Sequence, residues 1–504
     1  MKELKAIFDP EGLLNQGVIF NDDPDCFIKC LKPLPVLDFD FDSVPDGGHY
    51  LMDPSLSTAK ETIEQVKRAN KCIECGFCEV NCMSCGLTLS SRMRIAVQRE
   101  IRYLTKTGEN PERLATLKKQ YKYYGDQTCA TDGLCSTSCP MKINTGELTH
   151  LIRQMDMNNS KLGYQLGEFA ANHMAGIKSG LRVVLDVAHA AHVTLGPTLM
   201  TTVCRTMNKM GLPLWTTAMP KKKRQPKPSD LTQFIIKSIE HSTLNIEHSA
   251  AQKDADANNV QSSMFNVQSP KVVYFPSCIN QTMGQSKQGG KKHDLVDEII
   301  QLMAKAGYEV IFPEGMEKMC CGQIWESKGM LDIADRKSAE LEAALWKASE
   351  QGKYPVLCAQ SPCLHRMKKV MHQMKLYEPA EFIMKFLVPR LDFHPIDRHI
   401  ALPITCSTRQ MGVSDDLIAL AKMCSTNVYL PEGVGCCGFA GDRGFTFPEL
   451  NKYGLRKLRP QIEANHIEVG YSNSRTCEIG LETNTGIPYM SIVYLVNECT
   501  TAKA

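Results

Sequence analysis

The sequence has almost no excess of charge of either sign and no long hydrophobic run. Its 504 residues carry 58 Lys and Arg against 55 Asp and Glu, a formal net charge of +3, so composition gives no support for binding to nucleic acid. A membrane-spanning helix needs about 18 uninterrupted apolar residues. The most apolar stretch, residues 181–200, is interrupted by Arg182, Asp186, His189 and His192. We therefore expect no transmembrane segment and no nucleic-acid partner.

The amino terminus also lacks the apolar core of a secretory signal, because charged residues are spread through its first dozen positions. We expect a cytoplasmic protein, with peripheral association at the inner face of the membrane as an alternative. What the sequence has in excess is cysteine, 22 residues in all. A chain of this length forms a core without disulfide bonds. In a reducing compartment, thiols in such number indicate metal ligands or redox groups.

Changes in composition divide the chain into four segments. Residues 1–56 are rich in Pro and Asp and lack a regular period, whereas residues 57–218 show helical periodicity. Residues 219–270 contain a basic, proline-containing run and a polar stretch, which is typical of a linker or insertion. In residues 271–504, short β-branched runs alternate with amphipathic segments. The predicted fold class is α+β multidomain, with a helical domain followed by an α/β domain of mostly parallel strands.

Hydrophobic periodicity places individual elements within the α/β domain. Strands are predicted over 271–275, 308–312, 354–359, 399–406, 427–431 and 467–473. Helices are predicted over 294–306, 333–351, 415–425 and 447–464.

The first cysteine group has the spacing of a two-cluster ferredoxin. It is a run with intervals of two, two and three residues, and a second group downstream ends in Cys-Pro. In this pattern three thiolates of one run bind one [4Fe–4S] cluster, and the fourth cysteine ligates the other cluster. The expected ligands of cluster one are Cys72, Cys75, Cys78 and Cys139. The expected cysteine ligands of cluster two are Cys82, Cys129 and Cys135.

Cluster two lacks one cysteine of the usual set, because Asp132 stands where the second cysteine of the partner group is expected. The Asp132 carboxylate or the nearby Cys85 would supply the fourth ligand of a [4Fe–4S] cluster, or the site would hold a [3Fe–4S] cluster. Zinc is the alternative metal, since paired CxxC motifs also form zinc ribbons. Three cysteines at two-residue spacing together with Cys139-Pro140 favour iron–sulfur.

Eight further cysteines form an internal repeat within residues 271–504. The first half contains Cys278, Cys320, Cys321 and Cys363, and the second contains Cys406, Cys436, Cys437 and Cys477, at offsets of about 114 to 128 residues. Each position follows a predicted strand, and ligand sites of open α/β sheets form at the carboxyl ends of strands. We expect the four thiols of each half to converge and to hold a further iron–sulfur cluster, with zinc as the alternative.

Two segments of the repeat carry a resemblance to a known family. GCCGFAGDRGF (435–445) and VVYFPSC (272–278) resemble the cysteine-rich CCG domain of heterodisulfide-reductase-type iron–sulfur oxidoreductases. The resemblance covers roughly residues 271–499. It fails at the final CxxC of each half, where Gln360 and Ser474 replace the first cysteine. An independent thiol or disulfide oxidoreductase of this kind is therefore the alternative function, and the missing cysteines count against it.

The rest of the chain resembles another family. LKAIFDPEGLLNQGVIFNDDP (4–24) looks like the end of the carboxyl-terminal cap of FAD-linked oxidases. KCIECGFCEVNC (71–82) and GDQTCATDGLCSTSCPMKINTGELT (125–149) resemble the iron–sulfur half of the large FAD-dependent D-lactate dehydrogenases, with Met83 in place of a proline and Cys85 as an additional cysteine. The resemblance implies that residues 1–56 are a remnant of the cap with a linker.

The resemblance also implies a function. The sequence has no Gly-rich phosphate loop or flavin site, so FAD would belong to a domain or subunit outside this chain. The chain would pass electrons from that flavin domain to a quinone or cytochrome acceptor, as the iron–sulfur segment of a D-lactate or other D-2-hydroxy-acid dehydrogenase. It would be an oxidoreductase that is incomplete without its flavin domain. A non-enzymatic assembly module that holds zinc is the third hypothesis.

Overall fold

The computed structural model describes most of the helical and α/β parts of the chain. The described residues are 1–14, 17, 20–29, 35–39, 41, 57–158, 160–209, 215–216, 218–223, 269–284, 290–291 and 293–503. Much of the proposed cap remnant and nearly all of the proposed linker at 219–270 therefore lie outside the described residues. Within the described part of the chain, no helix combines the length and the apolar character that crossing a bilayer requires.

Residues 57–209 are helical, as the periodicity predicts. The helices of the amino-terminal part are α1 (Lys2–Phe8), α2 (Cys26–Lys29), α3 (Ser57–Ala69), α4 (Ser91–Thr107), α5 (Pro111–Tyr121), α6 (Cys135–Ser138), α7 (Thr145–Asn158), α8 (Lys161–Asn172) and α9 (Met174–Lys209). A 3₁₀ turn spans Phe77–Asn81, a π-helical turn spans Lys122–Gln127, and α9 bends at Gly196. Helices α3, α4 and α7 enclose a core that includes Val66, Ile95 and Leu151.

The α/β part consists of two consecutive halves. The first contains β1 (Lys271–Tyr274), α10 (Cys278–Thr282), α11 (Leu295–Lys305), β2 (Glu309–Ile311), α12 (Gln323–Lys328), α13 (Leu331–Ala348), β3 (Val356–Leu357), α14 (Ser361–Val370), β4 (Leu376–Tyr377) and α15 (Pro379–Phe382). The second contains β5 (Leu391–Phe393), β6 (Ile396–Ala401), α16 (Cys406–Gln410), α17 (Ser414–Cys424), β7 (Ser425–Tyr429), α18 (Arg443–Thr446), α19 (Pro448–Gly454), α20 (Leu458–Ala464), β8 (Val469–Ser472), α21 (Arg475–Thr485), β9 (Tyr489–Ser491), α22 (Ile492–Glu498) and β10 (Thr500–Ala502).

The two halves have the same sheet topology. The first sheet has the strand order β2-β1-β3-β4 and the second has β7-β6-β8-β9, and every pairing within them is parallel. The predicted mixture of helices and parallel strands in a multidomain chain is therefore confirmed. The predicted helix 447–464 is interrupted between α19 and α20, and the short strands β4 and β9 were not predicted. Both strands are shorter than the four residues that a periodicity test needs.

The halves pack against each other through one hydrophobic core. This core combines Val272 and Tyr274 of β1 with Tyr471 of β8 and residues of α11 and α22. Strands β5 and β10 form a separate antiparallel pair, which fastens the carboxyl end of the chain beside the start of the second half. Lys178 of α9 contacts Gln281 after β1, and Gln410 after β6 contacts the Asp132 carbonyl, so the carboxyl ends of these central strands lie beside the helical part.

A buried network of charges joins the helical part to the first half. Lys369 of α14 contacts Glu147 of α7 at 3.3 Å and Glu326 of α12 at 3.0 Å. His150 lies 3.3 Å from the Glu147 carboxylate. Two carboxylates and a histidine at this separation have the donor types of a metal site, but two cations already balance the carboxylates: Lys369 contacts both of them, and Arg366 pairs with Glu326 at 2.7 Å. The group is a buried ion-pair network that fixes the orientation of the two parts.

Candidate metal centres

The cysteines proposed for cluster one lie where α3, the 3₁₀ turn and α6 meet. Burial raises the pKa of the Cys72 and Cys78 thiols, and the proximity of the Cys139 thiol raises both further. These three thiols therefore lie close together. Arg99 donates a hydrogen bond to the Cys72 carbonyl at 3.0 Å, which holds the start of the run in place.

Cys75, the fourth cysteine of this group, is exposed. Three apolar side chains of the same loop and turn are also exposed, at between 61% and 83% of their surface: Ile73, Phe77 and Val80. An exposed apolar patch of this kind is typical of a surface that contacts another protein.

The cysteines proposed for cluster two line a cavity between α4, α6 and α7. The cavity is lined by Cys82, Met83, Ser84, Ser91, Arg94, Cys129, Ala130, Thr131, Asp132, Gly133, Cys135, Thr145 and Gly146. It thus contains the three predicted cysteines and Asp132, whereas Cys85 is not part of its lining. The Cys85 carbonyl instead accepts a hydrogen bond from the Tyr453 hydroxyl at 3.0 Å.

Arg94 is a charged residue of this cavity that sequence analysis did not single out. Its side chain is 1% exposed and donates hydrogen bonds to the Gly125 carbonyl at 2.6 Å and to Ser84 Oγ at 2.9 Å. Its Nη1 lies 3.6 Å from Cys82 Sγ. Burial alone would raise the pKa of the Cys82 thiol, but Arg94 and the Ser84 hydroxyl outweigh burial and leave that pKa below its ordinary value. A lone arginine on a helix gives no sequence signal of this role.

Replacing Arg94 with methionine is expected to make the reduction potential of a cluster at these thiols more negative, because the reduced state loses a nearby positive charge. A unit charge about 7 Å away, acting through an effective dielectric constant of about 20, contributes roughly 2 kcal/mol, which corresponds to a shift on the order of 100 mV. A redox titration followed by electron paramagnetic resonance measures the shift. Arg94→Lys keeps the charge and should leave the potential near the wild-type value; equal shifts in both variants would contradict the electrostatic explanation.

The four predicted cysteines of the first half lie together at the carboxyl ends of its strands. Cys278 begins α10 after β1, Cys320 and Cys321 follow β2, and Cys363 lies in the first turn of α14 after β3. A hydrogen bond with Cys320 raises the pKa of the Cys278 thiol, and burial raises it further. A hydrogen bond with Cys363 likewise raises the pKa of Cys321. The four thiols therefore form one buried group.

The second half repeats this arrangement. Cys406 begins α16 after β6, Cys436 and Cys437 follow β7, and Cys477 lies in the first turn of α21 after β8. The sulfur atoms of Cys437 and Cys477 are 3.1 Å apart. Hydrogen bonding with Cys436 and burial raise the pKa of Cys406 well above its ordinary value. Since metal binding displaces thiol protons, a cation bound to either group would hold these cysteines as thiolates.

The glycine after each vicinal cysteine pair is required by its surroundings. Gly322 and Gly438 have φ values of +87° and +73°, which disfavour any side chain. A Cβ atom at Gly322 would lie 2.3 Å from the Ala334 carbonyl oxygen, and one at Gly438 would lie 2.9 Å from that of Leu450. The amide groups of the two glycines contact Cys320 Sγ at 3.5 Å and Cys436 Sγ at 3.4 Å. Each Cys-Cys-Gly turn thus directs a backbone amide at a sulfur, and such hydrogen bonds hold the ligands of a metal site in place.

The two halves differ in the groups around their thiols. In the first half, Cys358 is a fifth buried thiol, and its pKa is raised by burial and by the nearby Cys321 and Cys278. Lys178 of α9 also reaches this site. Its ammonium is 3% exposed and donates hydrogen bonds to Gln281 Oε1 at 2.9 Å and to the Met319 carbonyl at 3.1 Å. Burial lowers the pKa of Lys178, while the charges of Cys278 and Cys320 oppose that effect.

The positions where the final CxxC motifs are incomplete meet at the junction of the halves. The Gln360 amide donates a hydrogen bond to Ser474 Oγ at 3.1 Å, and the Arg475 amide donates to Gln360 Oε1 at 3.0 Å. Gln360 and Ser474 therefore connect the start of α14 with the start of α21. The sequence of either half does not show this contact, because it joins the two halves.

The donor sets of these four groups fit iron–sulfur clusters. Closely spaced thiols with backbone and cationic groups directed at the sulfurs are the environment in which such clusters bind. In cluster two the Asp132 carboxylate adds an oxygen donor. Zinc would accept the same thiolates, so the donor set alone does not separate the metals in the α/β halves.

One part of the chain is similar to a known family of iron–sulfur domains. Residues 68–143 match the model of the 4Fe-4S dicluster domain, which includes every cysteine proposed for clusters one and two. No curated protein matches the chain. Among solved structures, the aspartate racemase of Picrophilus torridus shares 10% sequence identity over 45% of this chain and 90% of its own, with a TM-score of 0.22, too low to support any argument. The dicluster match and the cysteine arrangement together support an iron–sulfur protein and suggest a role in electron transfer.

Proposed function

We propose that this chain is the electron-transferring iron–sulfur segment of an FAD-dependent D-lactate or other D-2-hydroxy-acid dehydrogenase. Its electrons would come from a flavin domain or subunit outside the chain and would leave to a quinone or cytochrome acceptor. The observation that carries the proposal is the succession of thiol groups from the exposed Cys75 to the cavity with Cys82, and from there to the second half. When bound, iron–sulfur clusters at these thiols would supply one-electron transfer.

The residues around the thiols support such a role. Arg94 and Lys178 place buried positive charge beside the cavity and beside the first half, where it stabilises thiolate ligands and a reduced centre. Six of the eight α/β cysteines are buried, and Cys278 and Cys406 are half-buried, which limits the access of water to the sulfurs. The exposed apolar patch of Ile73, Phe77 and Val80 beside Cys75 suits contact with a redox partner.

The identity of the partner rests on the resemblance at residues 4–24. Helix α1 lies in this segment and has no buried residue, and three of its apolar side chains, those of Leu4, Ile7 and Phe8, are 55–80% exposed. A helix with unburied apolar side chains is consistent with docking on a further domain. This supports the flavin domain of an FAD-linked oxidase as the electron donor.

The proposal is tested by anaerobic purification with iron, sulfide, zinc and flavin measured in the same sample. We expect about eight irons from the two ferredoxin-type sites, further iron from the α/β halves, and no flavin. Photoreduced FAD should then bleach the visible absorbance of the loaded protein, whereas D-lactate without a flavoprotein should not. Zinc near two per chain in place of α/β iron, or reduction by D-lactate alone, would contradict the proposal.

Cys358 favours a second candidate, a thiol or disulfide oxidoreductase, because it gives the first half a fifth thiol beside Cys321 and Cys278. That function requires turnover of an organic disulfide. The loaded protein with reduced viologen dye and a mixed disulfide should show no dye oxidation above background under the first proposal. Rapid oxidation that is lost in Cys358→Ser would favour the second.

A further inference from the structure

The loop of residues 129–135 lies between the cavity of cluster two and the second α/β half. On one side, Cys129, Asp132 and Cys135 line the cavity. On the other side, Gln410 of α16 donates a hydrogen bond to the Asp132 carbonyl. Gly133 has a φ of +69°, and a Cβ atom there would lie 2.3 Å from Gln410 Nε2. The loop is therefore fitted closely against the helix that begins at Cys406.

The Asp132 side chain is buried within this contact and is only partly satisfied. Its Oδ1 accepts a hydrogen bond from the Leu134 amide at 3.2 Å. Oδ2 is buried, and no backbone amide or hydroxyl group of the described residues donates a hydrogen bond to it. The Cys436 thiol of the second half is the side-chain hydrogen-bond partner of this carboxyl, and burial raises the carboxyl pKa despite that contact. A buried carboxylate oxygen with so few donors is costly unless a ligand completes it.

The other candidate for the fourth ligand occupies a different place. Cys85 is only partly buried and forms an isolated bridge with Thr88 outside the cavity lining. The Tyr453 hydroxyl donates a hydrogen bond to the Cys85 carbonyl. A Cβ atom at the adjacent Gly86 would lie 2.3 Å from that hydroxyl oxygen. The Cys85 backbone is thus fastened to α19 of the second half and has little freedom to turn into the cavity.

We propose that Asp132, through Oδ2, is the fourth iron ligand of cluster two, so that Cys82, Cys129, Cys135 and Asp132 together hold a [4Fe–4S] cluster. The inference rests on the proposed iron–sulfur function. The Asp132 carboxylate would then bind an iron of cluster two on the side of the cavity that faces Cys406 and Cys436. This is also the side on which Met83 contacts the second half, since a Cβ atom at Gly438 would lie 2.3 Å from Met83 Cε.

The test compares Asp132→Ala, Asp132→Cys and Cys85→Ala in anaerobically purified protein. Iron content and electron paramagnetic resonance spectra of the oxidised and reduced states are the measurements. Asp132→Ala is expected to lose about one iron per chain, because a cubane without its fourth ligand converts to a [3Fe–4S] form, which is paramagnetic when oxidised. Asp132→Cys is expected to keep the wild-type iron content, with an altered spectrum for cluster two only. Cys85→Ala should match the wild type in both measurements.

Several outcomes would overturn the assignment. A [3Fe–4S] signal in the electron paramagnetic resonance spectrum of Cys85→Ala would exclude Asp132 as a ligand. The same conclusion would follow if the wild type already showed this signal and Asp132→Ala left it unchanged. If Asp132→Ala does not fold, Asp132→Cys and Cys85→Ala still test whether Asp132 is a ligand. An unchanged spectrum of cluster two in Asp132→Cys would contradict ligation by residue 132. Failure of the underlying function is distinguishable, because the wild type would then contain zinc or no cluster at all.

Discussion

Replacing Arg366 with methionine is expected to destabilise the protein by about 3–5 kcal/mol. The Arg366 guanidinium is fully buried and forms ion pairs of 2.7 Å with Glu326 and with Asp335. Its Nε also donates a hydrogen bond to the Cys321 carbonyl at 3.0 Å. Methionine keeps much of the volume but leaves the Asp335 carboxylate without its cation and leaves Lys369 as the cation of Glu326. The expected decrease of Tm, measured by calorimetry on the anaerobic loaded protein, is on the order of 10 °C.

The matched control for Arg366 is Arg459→Met. Arg459 forms an ion pair of 2.9 Å with Glu463, but both side chains are 63% exposed, so the expected loss is below about 1 kcal/mol. Adding Glu326→Gln and Asp335→Asn to Arg366→Met should restore part of the stability, because the uncompensated charges are removed. A Tm that falls equally in the Arg366 and Arg459 variants, or no recovery on neutralisation, would contradict this explanation.

Replacing both vicinal cysteines of the second half with serine is expected to remove one cluster. Cys436 and Cys437 contribute two of the four thiols of this group, and Cys437 also contacts Cys477. Two remaining thiolates do not hold a cubane, so iron should fall by about four atoms per chain if the site binds a [4Fe–4S] cluster. Iron and sulfide analysis measures the loss, and the spectra of clusters one and two should persist.

Cys204→Ser is the matched control, because Cys204 is a buried cysteine of α9 outside the four thiol groups. It should leave the iron content unchanged. The equivalent Cys320→Ser and Cys321→Ser double variant tests whether the first half holds its own cluster. Loss of zinc without loss of iron in either double variant would show that the α/β halves hold zinc.

The helical and α/β parts could be predicted from local patterns. Amphipathic periodicity located α11, α13 and α17, and short apolar runs located the central strands β1 and β8, which are buried along almost their whole length. The eleven-residue α21 was not predicted, because most of its residues are buried and it shows no polar face. Strands β4 and β9 escaped prediction, since two or three buried residues carry no period. The interruption between α19 and α20 follows Gly454 and precedes Pro460, and both residues disfavour a continuous helix although the apolar period runs on through them.

The thiol groups were predictable for a different reason. Cysteine spacing and the repeat assign each thiol to a strand end, and parallel strands of one sheet bring those ends to one edge. The charged residues beside them were not predictable. Arg94 lies 12 residues from Cys82 but on another element, and Lys178 lies 103 residues from Gln281, so only the packing of α4 and α9 places their charges near the sulfurs.

The sequence by itself determined the number and grouping of the candidate ligands, because ligand spacing is a local property of the chain. It left Asp132 and Cys85 as equal candidates at cluster two. Only the tertiary structure separated them, by placing the Asp132 carboxylate in the cavity lining and fastening Cys85 to Tyr453 outside it. The physical reason is that the position of each side chain depends on contacts with α16 and α19, which lie more than 250 residues away in the sequence.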